Sequence, residues 1–504
     1  MLFLRCVLVA FATRALAFSS PNHGLSESEA AGGGEYFSKF STLVPRAPVT
    51  NLTSTLSKII ADSATVPVPD AWRILARSHI LDTLASIVAC RDLEPSTLAR
   101  ELALSLSGGR GRSAATILGT HEQASIVDAA FASAMAGHGA EINDFVPSAF
   151  VQPGPSVVSV ALALAETRGL SGDAVLRAVI VGYEFTSRIP KALGINNLQN
   201  ANIANHGIGP TFGAAAAAAS LLRLSEEQIS YMLGYCAQQA SGTWQWLLDV
   251  EHIEKSFVFA GMGAKAGLSA ALMAEAGFRG VENSFDSEKG FITSKKFTGG
   301  DENLESLLDF GNKTELSETG YKRYPVGGPT QPAVHGLLSL LPNITVTEVS
   351  KVVVEMPGAA DSFRSANMPA LNLKYLVAII LIDQRLDFVS AQSRERMLGD
   401  QEVQALMLKV EVVEDPSQEP PPGEARTESA RVKVEETGGR RHEVYVPYVK
   451  GYPSHPMSKE EVDLKALELM EPHLGDKRAR AVIATTNAID RLPRIGELVK
   501  LISR

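Results

Sequence analysis

The sequence contains few cysteines and few aromatic residues. Among its 504 residues are three cysteines, and aromatic residues make up 6% of the chain. Three cysteines are too few for a disulfide scaffold, and no CxxC motif or Cys/His cluster of the kind that binds zinc or an iron–sulfur cluster is present. We therefore expect chemistry by side chains alone, with no metal and no cofactor.

The sequence also lacks an excess of basic residues and long apolar runs. Lys and Arg number 47 against 56 Asp and Glu, which gives a formal net charge of −9. This balance does not favour nucleic acid or an anionic membrane as a partner. Beyond the N-terminal leader no run of about 18 uninterrupted apolar residues occurs, so we expect no transmembrane helix. Since 45% of the residues are hydrophobic, the chain has the composition of a folded protein.

The N-terminus carries the pattern of a targeting segment. Residues 1–17 contain an apolar stretch that ends in Ala-Leu-Ala, which is typical of a secretory signal peptide. Arg5 and Arg14, with no acidic residue before Glu27, fit a mitochondrial transit peptide equally well. Residues 18–50 are rich in Ser, Gly and Pro, which indicates a linker. The leader thus predicts secretion or mitochondrial import without deciding between them.

The rest of the chain divides into three parts by pattern. Residues 51–300 show helical spacing, as in Trp72–Ala89, and the six consecutive alanines Ala214–Ala219 predict a central helix that packs by close backbone approach. Residues 301–460 contain alternating, β-branched stretches that indicate strands among helices. Residues 461–504 are helical again. We therefore expect a mainly α protein, with a large all-α part, a smaller α+β part and returning C-terminal helices.

One segment places three ionisable residues directly after a helix of small residues. His138, Glu141 and Asp144 follow one another at intervals of three. Groups three apart share a helix face, so two acids in this pattern can serve as general base and general acid. The alternative interpretation is a solvated helix end.

Three further segments combine cations with small residues. His206 opens the alanine helix, where a helix N-terminus with a Gly-rich approach binds carboxylates, although a packed or capping histidine fits as well. Lys255 precedes an apolar run and is either a carboxylate-binding ammonium or a surface lysine. Lys322 and Tyr324 lead into a Gly-rich loop that suits anion recognition or is an ordinary connection. Together these residues suit proton abstraction beside a carboxylate.

These segments, in this order, resemble the MmgE/PrpD family, which includes 2-methylcitrate dehydratase and cis-aconitate decarboxylase. The resemblance extends from about Leu52 to Arg504. The matching pieces are Leu81–Leu84, Gly137–Asp144, Gln152–Gly154, the His206 segment, Lys255 with the helix after it, Ala276–Gly280, Lys322–Pro325 and Gly451–Pro456.

The resemblance implies a large all-α domain (51–300), a smaller α+β lid domain (301–460) and C-terminal helices (461–504) that return to the first domain. It also implies a homodimer with an active site in the cleft between the domains. Family members dehydrate 2-methylcitrate-like tricarboxylates, decarboxylate cis-aconitate or epimerise small dicarboxylates without a metal. Neither nucleic acid nor a membrane is an expected partner.

The resemblance also assigns roles to individual residues. Glu141 stands where the family has a catalytic Asp, and Gln152 stands where it has the His of His-Pro-Gly. A second family His, after the Tyr-Pro element, is absent from Gly327–Gln331. The implied catalytic residues are Glu141, Asp144, His206 and Tyr324. The implied substrate-binding residues are His138, Gln152, Lys255, Lys322 and Gln331.

We therefore expect a metal-independent lyase that dehydrates a citrate- or alkylcitrate-like polycarboxylate. The alternatives are a cis-aconitate-type decarboxylase, a dicarboxylate epimerase or isomerase, and a non-catalytic family member. The last alternative arises because two family histidines are missing, and glutamine cannot titrate.

Overall fold

A computed structural model describes residues 51–107, 114–292, 304–310, 314–358, 360–419 and 428–503. The predicted leader (1–17) and linker (18–50) lie outside these described residues and stay predictions. The first half of the described chain is helical apart from a short hairpin of β1 (Ala114–Thr116) and β2 (Gln123–Ser125). Its helices are α1 (Leu52–Ser63), α2 (Asp70–Cys90), α3 (Glu94–Leu106), α4 (Ile126–Gly137), α5 (Pro153–Arg168), α6 (Gly172–Leu193), α7 (Ile195–Asn200), α8 (Asn205–Leu222), α9 (Glu226–Gln239), α10 (Ile253–Glu275) and α11 (Leu304–Leu308).

Local sequence sets several of these helix ends. Ser225 and Gln228 form a capping box at the start of α9, where each side chain bonds the backbone of the other. Ser171 caps α6 by accepting a hydrogen bond from the amide of Ala174. Helix α5 begins at Pro153, because proline is favoured in the first turn of a helix.

Helix α8 is the centre of the helical part. Its alanines 214–219 are all buried, and it packs between α6 and α10. Small residues make this packing possible, because a Cβ atom on Gly213 would lie 1.8 Å from Thr186 Oγ1 and one on Gly267 would lie 2.4 Å from the carbonyl oxygen of Thr211. The predicted central alanine helix is therefore confirmed.

The second part is built on a four-stranded sheet of order β4-β3-β5-β6. Strand β3 (Val349–Met356) pairs parallel with β4 (Val410–Glu414) and antiparallel with β5 (Ala430–Glu436), and β5 forms a hairpin with β6 (Arg441–Val446). Strand β4 begins only at Val410, because a helix capped by Asp400 occupies the residues before it. The helices of this part are α12 (Gln331–Leu340), α13 (Ala360–Arg364), α14 (Leu373–Asp383), α15 (Phe388–Gln392), α16 (Arg394–Gly399) and α17 (Gln401–Met407).

The C-terminal helices pack back onto the first part of the chain. They are α18 (Lys459–Leu474), α19 (Asp476–Asn487) and α20 (Gly496–Ile502). Helix α18 lies along α2, where the buried Lys465 pairs with Asp82 at 2.6 Å and donates to the carbonyl oxygen of Ile142 at 2.7 Å. The mainly α class is confirmed, whereas the division into a domain and a lid stays a prediction.

Helix α10 is long and apolar enough to cross a membrane by length and composition. In this structure 61% of its apolar window is buried, and it packs against α8 and α9. A buried core helix of a globular fold has the same length and composition, so this helix is not by itself a sign of a membrane span.

Removal of the Lys465 ammonium should destabilise the protein strongly. We expect Lys465→Met to lower the free energy of unfolding by about 3–5 kcal/mol, because Asp82 would stay buried without its partner. The matched control is Lys459→Met on the same helix, an exposed pair with Asp463, for which we expect a loss below about 1 kcal/mol. Urea denaturation of both variants measures the difference, and equal losses would contradict the buried pairing.

Candidate active site

The loop that follows α4 carries the first group of polar residues. Helix α4 ends at Gly137 with His138 as its C-cap, and the chain then turns so that Glu141 points inward. Asp144 fixes the far end of this loop, since it accepts hydrogen bonds from the hydroxyl of Tyr183 at 2.5 Å and the amide of Gly154 at 3.1 Å. His79 Nδ1 lies 3.2 Å from the same carboxylate. Asp144 is thus fully buried and anchored to three helices, an arrangement that favours positioning over proton transfer.

The Glu141 carboxylate is the point on which the cations of the site converge. One oxygen pairs with Lys255 Nζ and lies 3.1 Å from His252 Nε2, and the other lies 3.3 Å from Lys322 Nζ. All four side chains are at least nine-tenths buried. The structure therefore brings together three of the predicted site residues and adds His252.

Burial and charge set the protonation of this cluster. Burial by itself would raise the pKa of Glu141, but Lys255, Lys322 and His252 outweigh it and hold that pKa well below its usual range. Burial lowers the pKa of Lys322, and the neighbouring Glu141 opposes that shift. Two ammonium groups thus face one carboxylate, which leaves a formal excess of one positive charge before His252 is counted.

A chain of amide hydrogen bonds joins His138 to Gln152. Asn143 Nδ2 donates to Gln152 Oε1 at 2.7 Å and to the carbonyl oxygen of Asp144 at 2.9 Å. Its Oδ1 is therefore the acceptor that faces His138 Nδ1 at 2.8 Å, so Nδ1 carries the proton. The other nitrogen, Nε2, is buried and has no hydrogen-bond partner among the described residues. Gln152 also lies 3.4 Å from Lys322 Nζ, so its amide joins the loop to that lysine.

His206 lies in the first turn of α8 inside an aromatic cage. Its ring stacks on Phe259 with 4.1 Å between centroids and meets the edges of Trp244 and Trp246 at 5.1 and 5.2 Å. Lys255 Nζ lies over Trp246 and Phe259, so the same aromatic faces orient the lysine. Burial, reinforced by the charge of Lys255, lowers the pKa of His206 to about 3. The ring is therefore neutral at physiological pH.

Two predicted residues lie outside this cluster. The Tyr324 hydroxyl pairs with His335 Nδ1 at 2.8 Å, and the Tyr324 ring packs against the core of the sheet-containing part. Gln331 accepts from the amide of Tyr324 and donates to the carbonyl oxygens of Tyr324 and Val326. The Gln331 amide is thus occupied in holding its own loop, and the roles predicted for both residues stay predictions.

A ring nitrogen of His138, a ring nitrogen of His252 and a carboxylate oxygen of Glu141 lie within 4.8 Å of one another. Spacing alone would suit a metal ion. Both oxygens of Glu141 already contact ammonium groups, however, and a cation placed there would face Lys255 and Lys322 at close range. The charge of the cluster fits an anion better than a metal.

Sequence reasoning overlooked His252, Asn143 and the aromatic cage. His252 stands three residues before Lys255 and Asn143 two after Glu141, so each lies close to a residue that the sequence had already singled out. The spacing along the sequence did not indicate a role for either residue, because neither lies in one regular helix with Lys255 or Glu141. His252 adopts a left-handed conformation with φ of 65°. Trp246 and Phe259 looked like ordinary apolar residues.

Comparison with known proteins shows which protein family this chain resembles. The chain matches the model of the MmgE/PrpD N-terminal domain over residues 54–302 and that of the MmgE/PrpD C-terminal domain over residues 324–490. It is 25% identical over 420 residues to cis-aconitate decarboxylase-like protein oryM of Aspergillus oryzae (strain ATCC 42149 / RIB 40), with 76% of this chain and 82% of that protein covered. It is also 25% identical over 381 residues to cis-aconitate decarboxylase of Aspergillus terreus, with 69% and 74% covered.

The buried neutral His206 should make stability depend on pH. The unfolded ring takes up a proton as the pH falls below about 6.5, whereas the folded ring does so only near pH 3. Its contribution to stability is therefore lost as the pH falls between these values, at up to about 1.4 kcal/mol per pH unit. We expect the wild type to lose stability more steeply than His206→Gln between pH 6 and 4 in urea denaturation. Parallel pH dependences would contradict a neutral His206.

Proposed function

Because this chain belongs to the MmgE/PrpD family, we propose that it is a lyase that decarboxylates a cis-aconitate-like tricarboxylate. The observation that carries the proposal is the convergence of Lys255 and Lys322 on one buried carboxylate. The names of the two fungal relatives support decarboxylation over the dehydration expected from the sequence. Family membership and these relatives together support a lyase-type enzyme.

The charge of the site suits a substrate with several carboxylates. Glu141 satisfies only part of the positive charge of the two lysines, so a substrate carboxylate adds a favourable counter-charge in a buried place. The aromatic faces of Trp246 and Phe259 keep Lys255 directed into the cluster. His206 is neutral and can contribute a hydrogen bond without adding charge.

The reaction needs little more than binding and a proton. When a carboxylate leaves as CO₂, the electron pair stays on the carbon that carried it, and that carbon must then be protonated. Ammonium groups held against the remaining carboxylates stabilise the charge that builds up, and burial strengthens this effect because water is excluded.

Substrate turnover and the two lysines test the proposal together. We expect the purified chain to release CO₂ from cis-aconitate, with the product identified by mass spectrometry. Lys255→Gln and Lys322→Gln should each lower kcat/KM by about 10- to 150-fold, the equivalent of about 1.5–3 kcal/mol for a hydrogen bond to a charged group. Lys265→Gln is the control, since that lysine lies on α10 with 48% of its side chain exposed.

The proposal fails if no CO₂ is released from cis-aconitate or from any member of a tricarboxylate panel. It also fails if Lys265→Gln loses as much activity as the two buried-site variants, because the loss would then not depend on the cluster.

One observation favours a second candidate, the dehydration of a citrate-type hydroxy acid. Dehydration needs a general base beside an acid, whereas decarboxylation needs no base. The unpartnered Nε2 of His138 has the free electron pair that such a base requires. Burial lowers the pKa of His138 well below its usual range, and the charges of His252, Lys322 and Lys255 add to that shift. Because His138 is such a weak base, it could remove a proton only from a substrate carbon whose acidity the site strongly increases.

His138→Gln separates the two reactions. If dehydration is the activity, citrate and 2-methylcitrate should give an unsaturated product, and His138→Gln should lower kcat by about 10²- to 10⁴-fold. If decarboxylation is the activity, the same variant should keep most of its kcat on cis-aconitate.

We also propose a homodimer, as family membership implies. Light scattering of the purified chain should give twice the mass of one chain across a tenfold range of concentration. A mass of one chain at every concentration would contradict it.

A further inference from the structure

The geometry points to His252 as the proton donor of this site, held with a proton on both ring nitrogens. The residue is absent from the roles that the resemblance implies. The inference rests on the proposed lyase function for its chemical role, but the protonation of the ring follows from its hydrogen-bond partners and from the ionised state of Glu141.

The hydrogen bonds of Ser256 determine whether Nδ1 of His252 carries a proton. Ser256 Oγ lies 3.0 Å from Nδ1 and 2.6 Å from the carbonyl oxygens of both His138 and His252. A hydroxyl has one proton, and carbonyl oxygens only accept. If that proton pointed to Nδ1, the hydroxyl oxygen would face both carbonyl oxygens at 2.6 Å without a proton between them, and their lone pairs would repel one another. The hydroxyl therefore donates to a carbonyl, and Nδ1 carries a proton that it donates to Ser256 Oγ.

The other ring nitrogen of His252, Nε2, faces the Glu141 carboxylate. This nitrogen lies 3.1 Å from Oε1 of Glu141. The pKa of Glu141 is held well below its usual range by its cationic neighbours against the effect of burial, so the carboxylate is ionised and can only accept. Nε2 must then carry a proton as well. With both nitrogens protonated, the ring is an imidazolium.

The surroundings of His252 agree with that state. The groups that face it are Glu141 and His138 from the loop after α4, Lys255 on its own helix and Lys322 on the other side of Glu141. The Glu141 carboxylate contacts the ring directly, and the two ammonium groups contact the carboxylate rather than the ring. The His252 side chain is 10% exposed against 3% for Glu141, so water can return a proton to it.

The backbone at His252 holds the ring in place at a cost. The residue has φ of 65°, a left-handed conformation that non-glycine residues adopt at a penalty. It immediately precedes α10, so Ser256 one turn later can bond the ring. A strained backbone conformation persists where surrounding contacts hold the residue in place. Here Ser256 and Glu141 hold the ring of His252.

In the proposed decarboxylation, His252 gives a proton to the carbon that loses CO₂. The bond between the substrate carbon and the departing carboxylate breaks, CO₂ leaves, and the electron pair stays on the carbon. That carbon forms a bond to the proton on Nε2 of His252, and the N–H electron pair stays on the ring. The ring, now neutral, takes a proton from water, so one proton is consumed for each CO₂ released.

Nitrogen NMR tests the protonation without any substrate. The full chain is labelled with ¹⁵N-histidine, and the His252 signals are those that disappear in His252→Gln. We expect two ring nitrogens of similar, protonated shift at pH 7. One protonated and one unprotonated nitrogen would overturn the inference, whatever the activity of the enzyme.

Kinetics test the chemical role. His252→Gln keeps an N–H that can reach Glu141 but cannot give up a proton, so kcat should fall by about 10²- to 10⁴-fold with KM little changed. His252→Asn, which tolerates the left-handed backbone, should show the same loss if the fold is intact.

The matched control is His121→Gln, an exposed histidine in the turn between β1 and β2, which should keep wild-type kcat. Wild-type kcat in His252→Gln would overturn the role of His252 as donor. A wild type inactive on the whole substrate panel would instead defeat the proposed function, and with it the donor role, while the NMR result would still decide the protonation of the ring.

Discussion

The ionised carboxylate of Glu141, held between two buried ammonium groups, is the interaction on which the site depends. A single buried charge is costly, and only close partners of opposite sign make it tolerable. Lys255 and Lys322 supply these partners from separate parts of the chain, and the pair outnumbers the carboxylate by one charge. The buried charges are thus paired, and one positive charge is left over that a further anion could balance.

Contacts from several helices hold this arrangement in place. The loop with Glu141 is tied to α6 by Tyr183, to α5 by Gly154 and to α18 by Lys465. On the opposite side, α10 contains a π-helical turn at Phe257–Gly261, a feature often found at functional sites. Phe259 in that turn contacts the rings of both His138 and His206. Small residues between α6, α8 and α10 allow the close approach that these contacts require.

Much of the candidate site could be predicted from the sequence because its residues fall into short segments with recognisable neighbours. Glu141, Lys255 and Lys322 each stood in such a segment, and the structure brings them together. His252 and Asn143 could not be predicted, because their roles depend on hydrogen-bond partners more than a hundred residues away or on one particular amide orientation. Asp144 shared the spacing of an acid–base pair, but Tyr183 and Gly154, brought close only by folding, occupy its carboxylate.

By itself, the sequence determined the helical class, the central alanine helix and the capping box at Ser225, because each follows from local periodicity or local capping chemistry. It also determined which ionisable residues were available. Only the tertiary structure decided which of them meet. The pairing of Glu141 with Lys255 and Lys322, and the burial that makes His206 neutral, arise from long-range packing, and charge interactions depend on distance and burial that no local pattern encodes.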